Sequence, residues 1–343
     1  MGLPFENNLS VNLLASCFNN TSATYKFYWF ISILQAFEKD GPKIPKKILF
    51  ARMIANAWFT VNYFHVSFGM QDRLQRAIKY LKDSETLMID DDREVIFNTL
   101  SNSINPNTIS HLQHFNNQVP HWFLSPWFPK HDKNQIYFES QKYSNQCLYS
   151  LFNDHIEINP IWENYLFKNV KVLKEFCYWN LALFLQAKNP NVPDIPNKLI
   201  KPAIRSSLIN QRKYFWDIVI NELGSLNCIY TGANLTLGNY HIEHFIPYSF
   251  VTHDLIWNLI PADSSFNIKK SDKLPSLDKY FESFFSIQKS AVEIIKYKSP
   301  KNKFLEDYLT IFPDLDNGFT RERFREQILP LITIASNNGF EFL

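Results

Sequence analysis

The chain has 343 residues, of which 45% are hydrophobic and 20% are charged. This composition is typical of globular proteins and excludes a chain that is disordered over most of its length. A formal net charge of only +2 excludes a uniformly basic nucleic-acid binder, so any electrostatic binding surface has to be local. The length exceeds that of a typical single domain and suits two or three domains.

The cysteines and the apolar stretches indicate the compartment. The sequence has four widely spaced cysteines, Cys17, Cys147, Cys177 and Cys228. They form no CxxC pair, which favours reduced thiols in a cytoplasm. Glu6 stands where the apolar run of a signal peptide would begin, and the apolar stretch 27–37 is too short to span a bilayer. We therefore expect a soluble cytoplasmic protein without a membrane partner.

The first 187 residues show the three- and four-residue apolar spacing of helices. The predicted helices are 24–38, 46–64, 71–82 and 161–187, with another after Asp92. The aromatic segment 119–132 contains three prolines, which exclude a long helix there. Four histidines without a neighbouring Cys, His111, His114, His121 and His131, are expected to be surface or capping residues. We predict a helical N-terminal domain at 1–187 that contacts a partner, a signal or nucleic acid.

Prolines at four positions between 188 and 202 predict a linker. A basic helix is predicted at 203–223, and the segment 203–275 is predicted to be a separate module. Beyond residue 275 the helical spacing returns at 276–298, 302–311 and 320–335, which predicts a helical C-terminal region at 276–343.

The stretch "YHIEHFIPYSF" at 240–250 places Glu243 and His244 inside an otherwise apolar segment. Buried ionisable groups are costly unless they are paired or bound to a metal. The pattern predicts a strand through His244, a loop carrying Asp254, and a second strand at 256–260 that ends before Pro261.

A short helix is predicted to begin near Asp263 or Ser264, since both residue types are good N-caps. Asn267 and Lys270 are three positions apart and would share one face of this helix. Two strands and a helix in about thirty residues form a compact unit whose polar residues fall at strand centres and on one helix face.

These residues resemble the HNH endonuclease motif, which has the ββα-metal fold. The match rests on Glu243-His244, on Asn258 fourteen positions after His244, on Asn267 nine positions later, and on "KKSDK" at 269–273. The spacing is also similar to that of the HNH domain of CRISPR RNA-guided effectors. The resemblance covers about 50 residues and implies a mainly α-helical chain with an embedded small α+β ββα-metal module.

The resemblance implies a role for each residue in phosphodiester hydrolysis. His244 would take the proton from water, as a neutral histidine can near pH 7. Glu243 and Asn267 would bind Mg²⁺, which prefers oxygen ligands, with Mn²⁺ able to replace it. Asn258 would hold the His244 strand in register through hydrogen bonds to the backbone, and Lys270 would contact the phosphate. The implied catalytic set is therefore His244, Asn258 and Asn267.

Three features depart from the family pattern. Glu243 stands where Asp is frequent, and Asn267 stands in place of the final histidine. Many relatives frame this unit with two CxxC pairs that bind zinc, but here only Cys228 is present and Thr231 stands where its partner would fall. We therefore predict no structural zinc.

The expected function is metal-dependent endonuclease cleavage of double-stranded DNA, in a defence or restriction-type effector that a protein partner controls through the N-terminal domain. The expected backbone contacts come from basic residues, which position DNA without reading its sequence. These are Lys269, Lys270, Lys273, Arg212 and Lys213, together with Arg205 in the same basic helix. Two alternatives stay open: an inactive nucleic-acid-binding module, and an enzyme that cleaves RNA.

Overall fold

The computed structural model describes residues 2–200 and 207–343, apart from the side chains of Asn267 and Ile268. The chain forms two compact units. The N-terminal unit comprises Met1–Pro190 and Ile195–Lys201, and the C-terminal unit comprises Asn191–Asp194 and Pro202–Leu343. Arg205 falls outside the described residues, so its expected contact with nucleic acid stays a prediction.

The N-terminal unit is built from helices and one small sheet. Its helices are α1 (Val11–Ser16), α2 (Tyr25–Asp40), α3 (Lys46–Asn62), α4 (Arg73–Ser84), α5 (Arg93–Asn102), α6 (Pro106–His114), α7 (Val119–Phe123), α8 (Lys133–Ser140) and α9 (Pro160–Lys188). Its strands are β1 (Lys43–Pro45), β2 (Tyr149–Leu151) and β3 (His155–Ile158), which pair antiparallel in the order β1-β3-β2.

Helices α2 and α3 form the centre of this unit. Nearly every residue of α3 is buried, and α2 packs against both α3 and α9. A helix that is apolar on most of its faces has to be surrounded by other elements. The sequence predicted these three helices to within three residues at each end, because their apolar spacing is long and regular.

A buried carboxylate in the N-terminal unit hydrogen-bonds to residues at the ends of two helices. Asp72 is buried at the N-cap of α4, where its Oδ1 accepts a hydrogen bond from the Leu74 amide at 2.8 Å. Its Oδ2 accepts from the backbone and hydroxyl of Thr24, at 2.7 Å each. Burial raises the pKa of Asp72 despite these bonds. The carboxylate thus joins the start of α4 to the residue that precedes α2.

The C-terminal unit combines short strands with longer helices. Its helices are α10 (Ile209–Gln211), which continues as a π-helical turn at Arg212–Trp216, α11 (Asp217–Leu223), α12 (Tyr248–Val251), α13 (Ser264–Lys270), α14 (Leu277–Lys298), α15 (Leu305–Tyr308) and α16 (Arg321–Asn337). Its strands are β4 (Leu226–Asn227), β5 (Asn234–Leu235), β6 (His241–His244) and β7 (Leu259–Ala262), paired antiparallel as β4-β5 and β6-β7.

Side chains of helix α14 contact the β6-β7 hairpin and the residues beside it. The ring of Phe245 stacks on that of Phe284 with centroids 3.8 Å apart. Gln288 is buried, and its side-chain amide donates to the backbone oxygen of Leu259 at 2.7 Å and of Ile256 at 3.3 Å. These bonds join α14 to the first residue of β7 and to the 3₁₀ turn that precedes it.

The predicted fold class is confirmed: the chain is mainly α-helical and carries a small strand-strand-helix module. The second strand differs from the prediction, because Ile256–Asn258 forms a 3₁₀ turn and β7 continues through Pro261. Proline is tolerated there because β7 pairs on one side only within the described residues. In the segment 302–311 only Leu305–Tyr308 is α-helical.

Burial overturns one prediction in the N-terminal unit. His121, expected at the surface, is only 2% exposed and packs 5.0 Å from Trp122. Within the aromatic segment 119–132, Phe123 and Leu124 belong to the core. Across the described ranges 2–200 and 207–343, no helix combines the length and apolarity required to cross a membrane.

Candidate active site

The β6-β7 hairpin brings Glu243 and His244 into the fold. Glu243 pairs with Ile260 across the hairpin, and His244 pairs with Leu259. Consecutive strand residues point to opposite faces, so the two side chains meet different neighbours. Glu243 is 7% exposed and His244 is 4% exposed. Both ionisable groups are therefore buried, and each requires a partner.

Asn258 joins the chain that leaves β6 to the turn that precedes β7. The residue is fully buried. Its Nδ2 donates to the backbone oxygen of Ile246 at 2.9 Å, and its Oδ1 accepts from the backbone amide of Ile246 at 2.8 Å. The backbone oxygen of Asn258 also accepts from the Phe245 amide at 2.7 Å. These hydrogen bonds hold the backbone of the residues directly after His244.

His244 has an acidic partner from the loop between the strands. Its Nε2 lies 2.9 Å from Oδ1 of Asp254. The ring also meets the edge of the Tyr248 ring at 5.6 Å between centroids. Sequence reasoning placed Asp254 in a loop but assigned it no role. An acidic residue ten positions after a histidine carries no periodic signal, because the intervening turn decides whether the two side chains meet.

Glu243 has a basic partner from helix α13. Its Oε1 lies 3.1 Å from Nζ of Lys270, whose side chain is fully buried. Burial lowers the pKa of Lys270, and the neighbouring Glu243 opposes that effect. The ammonium therefore compensates the carboxylate and does not face solvent. The expected phosphate contact of Lys270 requires this ion pair to open, and it stays a prediction.

Asn267 lies on α13, three residues before Lys270, and α13 packs against β6. Its side chain lies outside the described part of the structure, so its expected role in metal binding stays a prediction. Among the described residues no group of three or more His, Cys, Asp or Glu side chains could hold a metal ion.

By residue type, Glu243 suits a cation of the Mg²⁺ type. Such an ion takes one or two protein oxygens and keeps several waters, so one carboxylate can form a large share of the protein contribution. The carboxylate of Glu243 is buried against a positive charge, which is the electrostatic environment that a bound cation would provide.

The turn that contains Cys228 contacts the start of α13 directly. The amide of Asp263 donates to Cys228 Sγ at 3.4 Å, and the Thr231 hydroxyl donates to Asp263 Oδ2 at 3.5 Å. The rings of Tyr230 and Phe266 stack with centroids 4.6 Å apart. Hydrogen bonds and ring stacking thus join the Cys228 turn to the start of α13.

The other basic residues lie in two places. Lys269 is exposed on α13, and Lys273 is half-buried beyond its end. In the π-helical turn, the guanidinium of Arg212 lies 4.6 Å from the Tyr240 ring centroid, and Lys213 is exposed. The neighbouring Gln211 donates from Nε2 to the backbone oxygen of Asp254 at 3.3 Å. The segment that contains Arg212 and Lys213 therefore contacts the loop whose Asp254 pairs with His244.

Comparison with known proteins identifies the same segment. Residues 228–276 match the family model described as HNH endonuclease. The CRISPR-associated endonuclease Cas9 of Listeria innocua serovar 6a is 35% identical over 80 residues, which is 22% of this chain and 6% of that protein. The chain therefore spans only a small part of the relative it matches. No solved structure matches the chain. The predicted resemblance of this segment to HNH endonucleases, including those of CRISPR effectors, is confirmed.

Proposed function

We propose that this protein is a metal-dependent endonuclease that hydrolyses phosphodiester bonds in double-stranded DNA. The observation that supports it most directly is the hairpin itself. One strand carries a buried histidine paired with a carboxylate and, next to it, a buried carboxylate paired with a cation. The HNH endonuclease match over the same residues supports the reaction type.

In the proposed reaction His244 is the general base. Its imidazole accepts a proton from a water molecule whose oxygen attacks the phosphorus atom. The bond from phosphorus to the leaving oxygen then breaks, and that oxygen takes a proton from solvent. Mg²⁺ held by Glu243 and Asn267 would neutralise charge that develops on the phosphate. Asn258 keeps the backbone after His244 in place during this step.

Basic residues near the site supply the proposed DNA contacts. Lys269 and Lys213 are exposed, and Arg212 and Lys273 are half-buried. Lysine and arginine at such positions contact phosphates regardless of the DNA sequence. The low net charge of the chain is compatible with this role, because the positive surface need only be local. Lys270 joins this set once it leaves Glu243.

We also propose that the enzyme is a defence or restriction-type effector that a partner activates. The buried Glu243–Lys270 ion pair supports this view, because the carboxylate is compensated before any cation arrives. A partner that binds the N-terminal unit would favour the state in which this ion pair opens. The prediction fails if the purified protein alone cleaves DNA freely at physiological salt.

The function is tested by plasmid cleavage with purified protein in Mg²⁺, in Mn²⁺ and in EDTA. We expect slow nicking or linearisation with either metal at low salt, where phosphate contacts are strongest, and none in EDTA. His244→Ala should lower the rate by about 10²- to 10⁴-fold, the usual contribution of a general base. His241→Ala is the matched control, because His241 lies exposed on the same strand, and it should retain the wild-type rate.

Single- and double-stranded RNA of the same sequence serve as parallel substrates. Faster cleavage of RNA than of DNA would replace DNA by RNA in the proposal. Binding of nucleic acid without cleavage, unchanged in His244→Ala, would show the protein to be a binding module instead.

A further inference from the structure

The hydrogen bond between His244 and Asp254 identifies which imidazole nitrogen can act as the base. Oδ1 of Asp254 lies 2.9 Å from Nε2 of His244, and their side chains are 18% and 5% exposed. An ionised carboxylate only accepts hydrogen bonds, so the nitrogen that faces it has to carry the proton. In a neutral imidazole the other nitrogen, Nδ1, then has the free lone pair.

We propose that Asp254 is a positioning residue that holds His244 as the Nε2–H tautomer and leaves Nδ1 to accept the proton from water. This inference rests on the proposed function, because it assumes that His244 is the general base. Asp254 itself touches neither water nor phosphate in this role. When Nδ1 accepts the proton, the ring becomes a cation, and the negative charge of Asp254 stabilises it.

The loop around Asp254 is fixed at both ends, as a positioning role requires. Before it, the Thr252 hydroxyl donates to Asp194 Oδ2 at 2.8 Å. After it, the Ile256 amide donates to Asp307 Oδ2 at 2.9 Å. The backbone oxygen of Asp254 accepts from Gln211 as well. Because residues of several elements hold this loop, the carboxylate stays where the histidine meets it.

A purely structural ion pair makes different predictions. In that case removal of Asp254 would lower stability without a specific effect on turnover. In the positioning role Asp254 fixes the Nε2–H tautomer, and removal of Asp254 lowers kcat with little change in KM. The tautomer of the ring and the kinetic parameter that changes therefore separate the two.

The first measurement is ¹H–¹⁵N correlation through the imidazole nitrogens of ¹⁵N-histidine-labelled protein, without metal or substrate. The nine histidines give few signals, and the His244 signals are those that disappear in His244→Gln. We expect one protonated nitrogen, Nε2, whose proton exchanges slowly with solvent and resonates at low field. In Asp254→Ala that proton should exchange rapidly. An Nδ1–H tautomer or an unchanged proton in Asp254→Ala would refute the role.

The second measurement is the cleavage rate of Asp254 variants. Asp254→Ala should lower kcat by about 10- to 100-fold, the range found when a residue that orients a functional side chain is removed. Asp254→Glu should recover part of the loss, because it keeps the carboxylate. Asp254→Asn keeps the shape and weakens the acceptor, so it replaces the alanine variant if that protein does not fold, with at least a tenfold loss expected.

Asp278→Asn is the matched control, since Asp278 is a 94% exposed aspartate of the same unit. It should keep the wild-type rate. If the wild-type protein cleaves and Asp254→Ala cleaves equally well, the role of Asp254 is refuted while the proposed function stands. If the slowly exchanging Nε2 proton is present but no nucleic acid is cleaved with any metal even at low salt, the proposed function is refuted, and the catalytic role of Asp254 with it.

Discussion

Both units of the molecule bury lysine side chains, and two of these, Lys46 and Lys270, face partners of different charge. Lys46 in the N-terminal unit donates to Asn116 Oδ1 at 3.0 Å, to the Tyr137 hydroxyl at 2.7 Å and to the backbone oxygen of Asn153 at 3.4 Å. All three acceptors are neutral, and burial lowers the pKa of Lys46 to about 8. Lys270 in the C-terminal unit instead contacts the carboxylate of Glu243.

The difference distinguishes a lysine with a structural role from a lysine beside the candidate active site. A lysine surrounded by neutral oxygens joins loops and helices and leaves no other charge that requires compensation. The Glu243–Lys270 pair contributes little to stability over an apolar pair of the same volume, because two charges had to lose their hydration. A buried carboxylate beside the histidine that we propose as base therefore points to a function, and its lysine compensates the charge until a cation binds.

The largest expected effect comes from Lys270→Met. This change leaves the Glu243 carboxylate buried without its compensating charge, and we expect the C-terminal unit to lose about 3 to 5 kcal/mol of stability. Mg²⁺ should restore more stability to this variant than to the wild type, since the cation takes over the role of the ammonium. Hydrogen exchange of the β6 amides, measured with and without Mg²⁺, reports both effects.

The matched control for that experiment is Lys296→Met, because Lys296 pairs with the exposed Asp316 at the surface of the same unit. It should cost less than about 1 kcal/mol. A double variant, Glu243→Gln with Lys270→Met, should regain most of the stability lost in Lys270→Met. If Lys270→Met proves no more destabilising than Lys296→Met, the Glu243 carboxylate does not depend on this lysine.

A smaller effect is expected from the buried histidine near Lys46. Burial, together with Lys133 and Lys46, lowers the pKa of His121 to about 4, and its Nδ1 has no hydrogen-bond partner among the described residues. The unfolded chain binds a proton below about pH 6.5, whereas the folded unit does so only near pH 4. Stability of the N-terminal unit is therefore complete above pH 6.5 and should fall by on the order of 2 to 3 kcal/mol as the pH drops to 4.

Urea denaturation between pH 7 and pH 4, followed by hydrogen exchange in α7, measures this dependence. His121→Phe should reduce the loss between pH 6.5 and pH 4, since phenylalanine binds no proton. His131→Phe, which changes a half-buried histidine of the same unit, serves as the control. A wild-type curve that matches that of His121→Phe would contradict the low pKa.

The smallest effect is expected from Lys46→Met, at about 1 kcal/mol. The variant loses three hydrogen bonds but also removes a charge that burial had made unfavourable, and its neutral acceptors tolerate the loss better than a carboxylate does. Mg²⁺ should not change its stability. If Lys46→Met proves as destabilising as Lys270→Met, the distinction between Lys46 and Lys270 is wrong.

Much of the fold follows from local sequence. The regular apolar spacing of α2, α3 and α9 predicted helices close to those observed, because a helix that packs over several turns needs that spacing. Prolines predict the ends of strands less reliably. Pro261 was expected to follow the second strand, but it lies inside β7. Whether a proline ends a strand depends on which side of the strand is paired, and the local sequence does not contain that information.

The sequence by itself also determined where the candidate site lies, since the spacing of Glu243, His244 and Asn258 is a property of the chain. Only the tertiary structure decided how these groups are paired. Lys270 meets Glu243 because α13 packs on β6, and Asp254 meets His244 because the turn after β6 returns to it. Such contacts join residues ten to 27 positions apart, and their distance in space depends on packing between elements and not on any periodic pattern.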